Sequence, residues 1–313
     1  MNNSQKLFTA AVGAAAACAT WAVGVERYLF TVRRAQLPVL QPGAKPLRVL
    51  QLSDLHLAPW QQRKIAWVQS LAQLAPDLVV LTGDQLGHKE AIDPLLNALQ
   101  PLAATGAKMC FVHGSNDYYS PIAKNPMRYL KEPSRLATRV PDLDNELLTR
   151  RFNTELGAVD LNNRVHSMTV SDSELLFLGL NDPHIGYHDH AAVATALQQL
   201  EAAEQLNPEQ VRVGVVHAPY TKSLDFLTDN GCELLLAGHT HGGQLRVPGV
   251  GALTSNSDLP PQQARGLSAW YTAENTAFLH VSAGLGTSIY APVRFCCRPE
   301  ATLLTLHAVD SQL

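Results

Sequence analysis

Leu47-Arg48-Val49-Leu50-Gln51-Leu52 runs without a break into Ser53-Asp54-Leu55-His56, and Leu78-Val79-Val80-Leu81 runs in the same way into Thr82-Gly83-Asp84. A third apolar run, Lys108 to Val112, leads into His113-Gly114-Ser115-Asn116-Asp117. Between these runs the periodicity predicts helices over about 61–74 and 92–103. Strand, helix, strand, helix, strand is the pattern of a parallel sheet covered by helices. In each case a polar, metal-competent residue stands just past the carboxyl end of the strand, which is where ligand sites form in open α/β sheets.

Later in the chain the pattern repeats. Val211 to Val216 is followed by His217-Ala218-Pro219, and Glu233 to Leu236 is followed within two residues by Gly238-His239-Thr240-His241. Further strand-like runs are Leu175 to Leu180, Gln244 to Val247, Phe278 to Val281 and Ala301 to Leu306, with helices over about 191–205 and 224–229. Two sheets packed together with helices outside is the simplest architecture for this order. The stretch 121–152, which has no clean period and carries Lys124, Arg128, Lys131, Arg135, Arg139, Arg150 and Arg151, is expected to be a long surface excursion.

The N-terminus differs in kind. Leu7 to Val25 contains no charged residue, and at about 1.5 Å per residue it approaches the thickness of a bilayer core. We read residues 1–36 as an apolar membrane-anchoring segment with its flank, 37–46 as an extended linker because of its three prolines and a glycine, and 47–313 as one catalytic domain. Its alanine-rich character leaves a cleaved signal peptide or a docked helix as alternatives. The basic residues on both sides, Lys6 before it and Arg27, Arg33 and Arg34 after it, leave the side of the membrane open.

In extended backbone, residues two apart point to the same side, so Asp54 with His56, and His239 with His241, are expected to act as chelating doublets. Asp84, Asn116 and His217 complete a candidate set of seven metal-holding residues. Carboxylate, imidazole and amide oxygen together suit Mn, Fe, Zn or Co ions, not a calcium cage or a thiolate zinc site. The five cysteines have no framework spacing, and Cys110 and Cys232 lie in apolar runs, so disulfides are not expected. A net charge of −3 offers no basic footprint, and no nucleic-acid partner is expected. His88, His166, His188, His190, His280 and His307 read as surface or packing residues.

Asp54-Leu55-His56, Gly83-Asp84, Gly114-Ser115-Asn116-Asp117, His217 and Gly238-His239-Thr240-His241 resemble, in order, the motifs of the calcineurin-like metallophosphoesterase superfamily. The closing Gly284-Leu285-Gly286-Thr287-Ser288 and Arg298-Pro299-Glu300 look like its bacterial membrane- or wall-associated branch. The resemblance implies an α/β fold, a four-layer α/β/β/α sandwich of two packed mixed sheets with the metal site at strand ends. It implies two divalent or trivalent metal ions: Asp54, His56, Asp84 and His241 would hold one, Asp84, an Asn, His217 and His239 the other, with Asp84 between them. A metal-bridging hydroxide would then attack a phosphate ester or pyrophosphate, in a phosphorylated small-molecule or lipid substrate.

The third motif departs from the family. Without a gap, the family's Asn becomes Ser115 and its His, thought to assist the leaving group, becomes Asn116. We expect Asn116 to take the ligand position, since an amide oxygen is a better ligand than a neutral hydroxyl, with Ser115 as the alternative. His113 and His184 are then the candidate proton donors, and Asp117 is expected to orient a ligand. Loss of the family His also permits a rival: a membrane-associated metal-binding protein of the same fold with little or no turnover. A purely structural metal site would favour closed thiolate sets.

Overall fold

The computed structural model describes residues 2–122 and 140–309. Its strands are β1 (Thr31–Leu40), β2 (Leu47–Leu52), β3 (Leu78–Thr82), β4 (Lys108–Val112), β5 (Val159–Asp160), β6 (Arg164–Val170), β7 (Ser173–Gly179), β8 (Val211–Val215), β9 (Leu234–Ala237), β10 (Arg246–Val247), β11 (Gly251–Ala252), β12 (Gly266–Tyr271), β13 (Thr276–Val281) and β14 (Glu300–Ala308). The helices are α1 (Asn3–Gly24), α2 (Gln62–Ser70), α3 (Ile92–Ala103), α4 (Asn145–Glu155), α5 (His190–Ala202) and α6 (Thr221–Asp229).

Two six-stranded sheets carry the fold, in the orders β1-β14-β2-β3-β4-β5 and β12-β13-β9-β8-β7-β6, with β10 and β11 as a separate hairpin. Both are mixed. In the first, β2 to β5 run parallel while β14 is antiparallel to β2; in the second, β7, β8, β9 and β13 run parallel and β6 and β12 are antiparallel edges.

The period-two alternation of the strands explains the layering. On β2, Leu47 and Val49 face the second sheet and join Phe177, Val213 and Leu236 in one apolar cluster, whereas Leu50 and Leu52 face outward and pack with Val68, Leu99 and Phe152 of the covering helices. On the other sheet, Leu176, Leu178 and Leu235 meet Val193, Leu197, Leu224 and Leu227 of α5 and α6. Three apolar layers thus separate helices, sheet, sheet and helices, as the resemblance implied. Gln51 projects between the sheets, where its amide donates to the Ala237 carbonyl at 2.9 Å and its oxygen meets His280 Nδ1 at 2.6 Å. His280 is therefore a packing residue.

Three expectations need correction. The supposed linker 37–46 is strand as far as Leu40: β1 pairs in parallel with β14, and Leu37, Val39 and Leu40 are buried between the sheets. Proline at 38 is tolerated because β1 is an edge strand, where a missing N–H costs no ladder bond. The first sheet therefore begins at Thr31, ahead of Leu47. Second, 121–152 is not wholly a surface excursion, because α4 buries Leu148 and Phe152 against the first sheet; Lys124, Arg128, Lys131, Arg135 and Arg139 lie outside the described residues. Third, the run expected over 244–247 contributes only the two-residue strand β10.

Candidate metal centre

Asp54, His56, Asp84, His217, His239 and His241 converge where the carboxyl ends of β2, β3, β8 and β9 meet. The expected extended doublets are not how they do it. Asp54 (φ 48°), His56 (φ 39°), Asp84 (φ 54°), His239 (φ 67°) and His241 (φ 51°) all lie in the left-handed region, at a cost of about 1–3 kcal/mol each. Sharp turns at the strand exits, not alternation along a strand, aim these side chains inward. The tips are tied together as they turn: Asp54 N–H donates to the Gly83 carbonyl at 2.9 Å and His56 N–H to that of Asp84 at 3.0 Å. Gly83, at φ 89°, passes so close to His217 that a Cβ there would lie 2.6 Å from Nδ1.

The polar atoms at the centre are close and under-partnered. His56 Nε2 lies 3.3 Å from His241 Nε2 and 3.5 Å from Asp84 Oδ2, while His217 Nε2 lies 3.5 Å from Asp84 Oδ1. The ligand atoms of Asp54, His56 and His241 fall within 4.8 Å of one another, as do those of Asp54, Asp84 and His217. These two groups share Asp54, yet it is Asp84 whose two oxygens face opposite histidines. Asp54 Oδ1, His56 Nδ1, His217 Nε2 and His241 Nδ1 are buried with no hydrogen-bond partner. Burying atoms such as Asp54 Oδ1 and His217 Nε2 unpaired is costly, and a cation between them and the converging Nε2 atoms of His56 and His241 removes the cost, so the donor set fits metal ions.

Tautomers are set from outside the cluster. His217 Nδ1 donates to the Thr82 carbonyl at 2.7 Å, so Nε2 is the ring atom that faces Asp84 and would be the metal ligand once deprotonated. His239 Nε2 lies 3.1 Å from the Asn256 carbonyl, so Nδ1 is its free ligand atom in that tautomer. Burial pushes the Asp54 carboxyl up to about 6, reinforced by Asp84 and opposed by His217. Burial acts on Asp84 in the same sense, but His217 and His56 outweigh it and hold that carboxyl well below the usual range. His56 is pushed down to about 4 by burial, and burial with neighbouring imidazoles also holds His239 and His241 well below the ordinary value. His217 goes the other way: burial opposes its charge, but Asp84 and Asp182 raise it well above the ordinary value. Carboxylates and imidazoles at such separations form a buried donor set suited to cations.

Asn116 sits on the Asp84 carboxylate, its backbone N–H donating to Oδ1 and its side-chain amide to Oδ2, each at 2.7 Å. The Ser115 hydroxyl reaches only the Asn116 amide, at 3.4 Å. Asp117 is fully buried and accepts from the N–H groups of Gln85, Leu86 and Gly114 at 2.8, 3.1 and 2.9 Å. It pins the loop after β3 to the loop after β4. His113 turns away toward α4, with Nε2 at 2.7 Å from Thr149 Oγ1 and its ring against Phe111. His184 stands beside the centre, its ring centroid 4.6 Å from that of His239 and its Nδ1 2.9 Å from the Tyr220 hydroxyl.

Four contributors escaped the sequence. Tyr220, whose hydroxyl burial pushes up to about 12, contacts His184. Asn256 contacts His239. Asp182, buried with Oδ2 unpartnered and pushed up to about 7 by burial, accepts the His184 N–H; its place two residues before His184 was the one available signal. Arg294, fully buried, donates to the carbonyls of Ala283, Gly284 and Gly286. Those carbonyls lie on the closing motif, where Leu285 and Gly286 N–H groups in turn bond the Ser53 and Asp54 carbonyls.

A model of calcineurin-like phosphoesterases matches residues 47–243. A Bos taurus transmembrane protein with a metallophosphoesterase domain is 25% identical over 284 residues, or 88% of this chain and 57% of its own length, so the chain spans little more than half of that relative. Phosphodiesterase YaeI of Escherichia coli is 25% identical over 283 residues, 88% of each chain. The UDP-2,3-diacylglucosamine pyrophosphatase LpxG of Chlamydia trachomatis is 25% identical over 315 residues, 91% of each.

Proposed function

Because the chain belongs to the calcineurin-like phosphoesterase family, we propose that it is a membrane-associated phosphoesterase with a dinuclear metal centre, acting on a phosphate ester or pyrophosphate of a small molecule or lipid. The observation that carries this reading is the convergence of His56 Nε2 and His217 Nε2 on the Asp84 carboxylate, with Asp54 Oδ1 and His217 Nε2 buried and unpartnered. In this reading Asp54, His56 and His241 hold one ion, His217, His239 and Asn116 the other, and Asp84 touches both. Two cations about 3.5–4 Å apart supply charge neutralisation for the phosphoryl oxygens and an activated water near neutral pH.

The chain's own residues do the rest. Thr82 fixes the orientation of His217, and Asn256 holds His239 at its Nε2. Of the two proposed proton donors, His184 is the one beside the centre. The Tyr220 hydroxyl, 2.9 Å from His184 Nδ1, orients the ring; with Nδ1–H donated to that oxygen, the His184 imidazolium would give its Nε2 proton to the leaving group and become neutral. His113 and Asp117 support the loop. The altered third motif favours the rival reading of a binding protein without turnover; an imidazole at His184 weighs against it.

Membrane association rests on α1. Its 22 residues span about 33 Å, enough for a bilayer core, and Ala22 is the one buried residue in it. By length and composition Asn3–Tyr28 qualifies as a spanning segment. A lipid-linked diphosphate substrate is supported by the activity for which the chlamydial relative is named.

Metal analysis of the purified protein, coupled to a hydrolysis screen over monoesters, diesters, nucleotides and lipid pyrophosphates, tests the proposal. Two equivalents of metal and hydrolysis of one class are expected. Asp84→Asn should lose metal and lower turnover by about a hundredfold or more, because an amide cannot share charge between two cations. Near-normal turnover with two bound metals in that variant would sink the assignment.

A further inference from the structure

Among the described residues, the hairpin β10–β11 leaves apolar side chains exposed. Val250 is 72% exposed at its tip, Leu253 50%, Val247 41% and Leu245 37%. This hairpin hangs directly on the metal centre. Arg246 donates to the Gly242 carbonyl at 2.9 Å, one residue past His241, and Asn256, just beyond the second strand, contacts His239.

Its other flank leads to the candidate membrane helix. Arg246 N–H donates to the Phe295 carbonyl and Phe295 N–H to that of Gln244, while Arg294 N–H donates to the carbonyl of Ala22 in the last turn of α1. That helix end cannot swing freely. Glu26, buried, accepts from Trp21 Nε1 at 2.8 Å and from the backbone N–H groups of Cys296 and Cys297. Trp21 itself is 46% exposed, and Tyr290, in the loop between hairpin and helix, is 55% exposed. Half-exposed Trp and Tyr beside the end of a spanning helix are typical of a membrane–water boundary. Moreover, 238–257 and 275–299 contain no acidic residue, so nothing in these segments repels an anionic lipid surface.

We propose that the hairpin around Val250, with Tyr290 beside it, is a second membrane contact that inserts at the headgroup boundary next to the exit of α1 and holds the His239–His241 turn at the bilayer surface. This rests on the reading of α1 as an anchor, but the contact is a distinct one. Shallow insertion of a few apolar side chains beside an anchor reaches about 5–10 Å into the boundary.

The test uses full-length protein reconstituted into phosphatidylcholine–phosphatidylglycerol vesicles, with or without phosphatidylcholine brominated near the glycerol end of its chains. Val250→Trp places a reporter on an exposed tip; Tyr271→Trp is the control, since Tyr271 pairs with Thr276 at the end of the second sheet opposite the metal centre and is 69% exposed. The emission added by Val250→Trp should fall about twofold or more in brominated vesicles, and that added by Tyr271→Trp should not. Flotation of the wild-type protein with vesicles reads the anchor separately. If the protein floats and the Val250→Trp signal is unquenched, the second contact is wrong while the anchor stands. Failure to float removes both. A blue-shifted, unquenched signal that grows with protein density assigns the hairpin to a second copy of the chain and overturns the proposal.

Discussion

Replacing Asp117 by asparagine separates a loop-pinning role from a chemical one. Each Asp117 oxygen is committed: Oδ1 accepts from Gln85 and Leu86 N–H, Oδ2 from Gly114 N–H. In Asp117→Asn the side-chain amide would keep one acceptor and turn an NH2 group toward a backbone N–H, leaving a buried donor without a partner. One charge-assisted bond is lost, at about 1.5–3 kcal/mol, and the remaining bonds weaken with the charge, so a total of about 3–5 kcal/mol follows. For a domain of this size that corresponds to a fall in unfolding temperature of roughly 6–15 °C. Differential scanning fluorimetry in detergent, alongside metal analysis, reads both consequences. We expect the lower melting point first, with metal retained at temperatures well below it. A melting point unchanged within about 2 °C, accompanied by loss of turnover, would make Asp117 a chemical participant and the loop-pin account wrong.

Asn116→Ala should weaken the second cation and lower turnover by about tenfold or more, while Ser115→Ala should be mild; metal loss confined to Ser115→Ala would reverse the assignment. Removing residues 2–20 should leave the melting point within about 2 °C, because contacts with the body begin at Trp21. Removing 2–34 should lower it clearly, since Glu26 and the Arg33–Glu300 pair go with it; equal stability of the two truncations would contradict this. Lys64, buried and donating to the Leu55 carbonyl, is pushed from 10.5 down to about 7 by burial, then by Arg294 and Arg27. Its folded-state value lies below the unfolded one, so the protein gains stability as pH rises from 7 toward 10.5, and the advantage of Lys64→Met should shrink by a few kcal/mol over that range. A pH-independent difference between the two melting curves would exclude a buried, depressed Lys64.

The elements that carry the metal residues were readable because two signals coincide there: an apolar run short enough for a buried parallel strand, and a polar residue with glycine at its exit. β2, β3, β4, β8 and β9 all have the run and the polar exit, and β3, β4 and β9 have the glycine as well. β1 was hidden by Pro38 and Pro46, which read as linker until the edge position of the strand is known. α4 was hidden by seven basic residues in and before it, although Leu148 and Phe152 stand four apart, as one face of a helix requires. At the site itself, residue types were readable and backbone shape was not. The left-handed turns at Asp54, His56 and His241 depend on contacts with loops far along the chain, such as Gly286 N–H on the Asp54 carbonyl at 2.6 Å. Tyr220, Asn256 and Glu26 were invisible for the same reason: each acts across a sequence gap that no local pattern spans.

Buried carboxylates in this protein differ in what partners them, although Asp84, capped on both oxygens by Asn116, shows that pairing alone does not take a residue out of the site. Asp117, Glu26 and Glu300 are buried carboxylates in which both oxygens accept N–H donors; Glu300 takes those of Ala283 and Arg33. They hold backbone against backbone. Such fastening is needed, because five left-handed residues at about 1–3 kcal/mol each add up to as much as the whole stability of a typical domain. Asp54 differs, since one of its oxygens is buried and unpartnered beside His241, and the same holds for His217 Nε2 beside Asp84. These unpaired atoms are the ones that the proposed cations would partner. Asp182 resembles Asp54, with Oδ2 unpartnered and its field felt at His217. Its other oxygen takes the His184 N–H, which places Asp182 beside that imidazole, although no motif in the sequence singled it out.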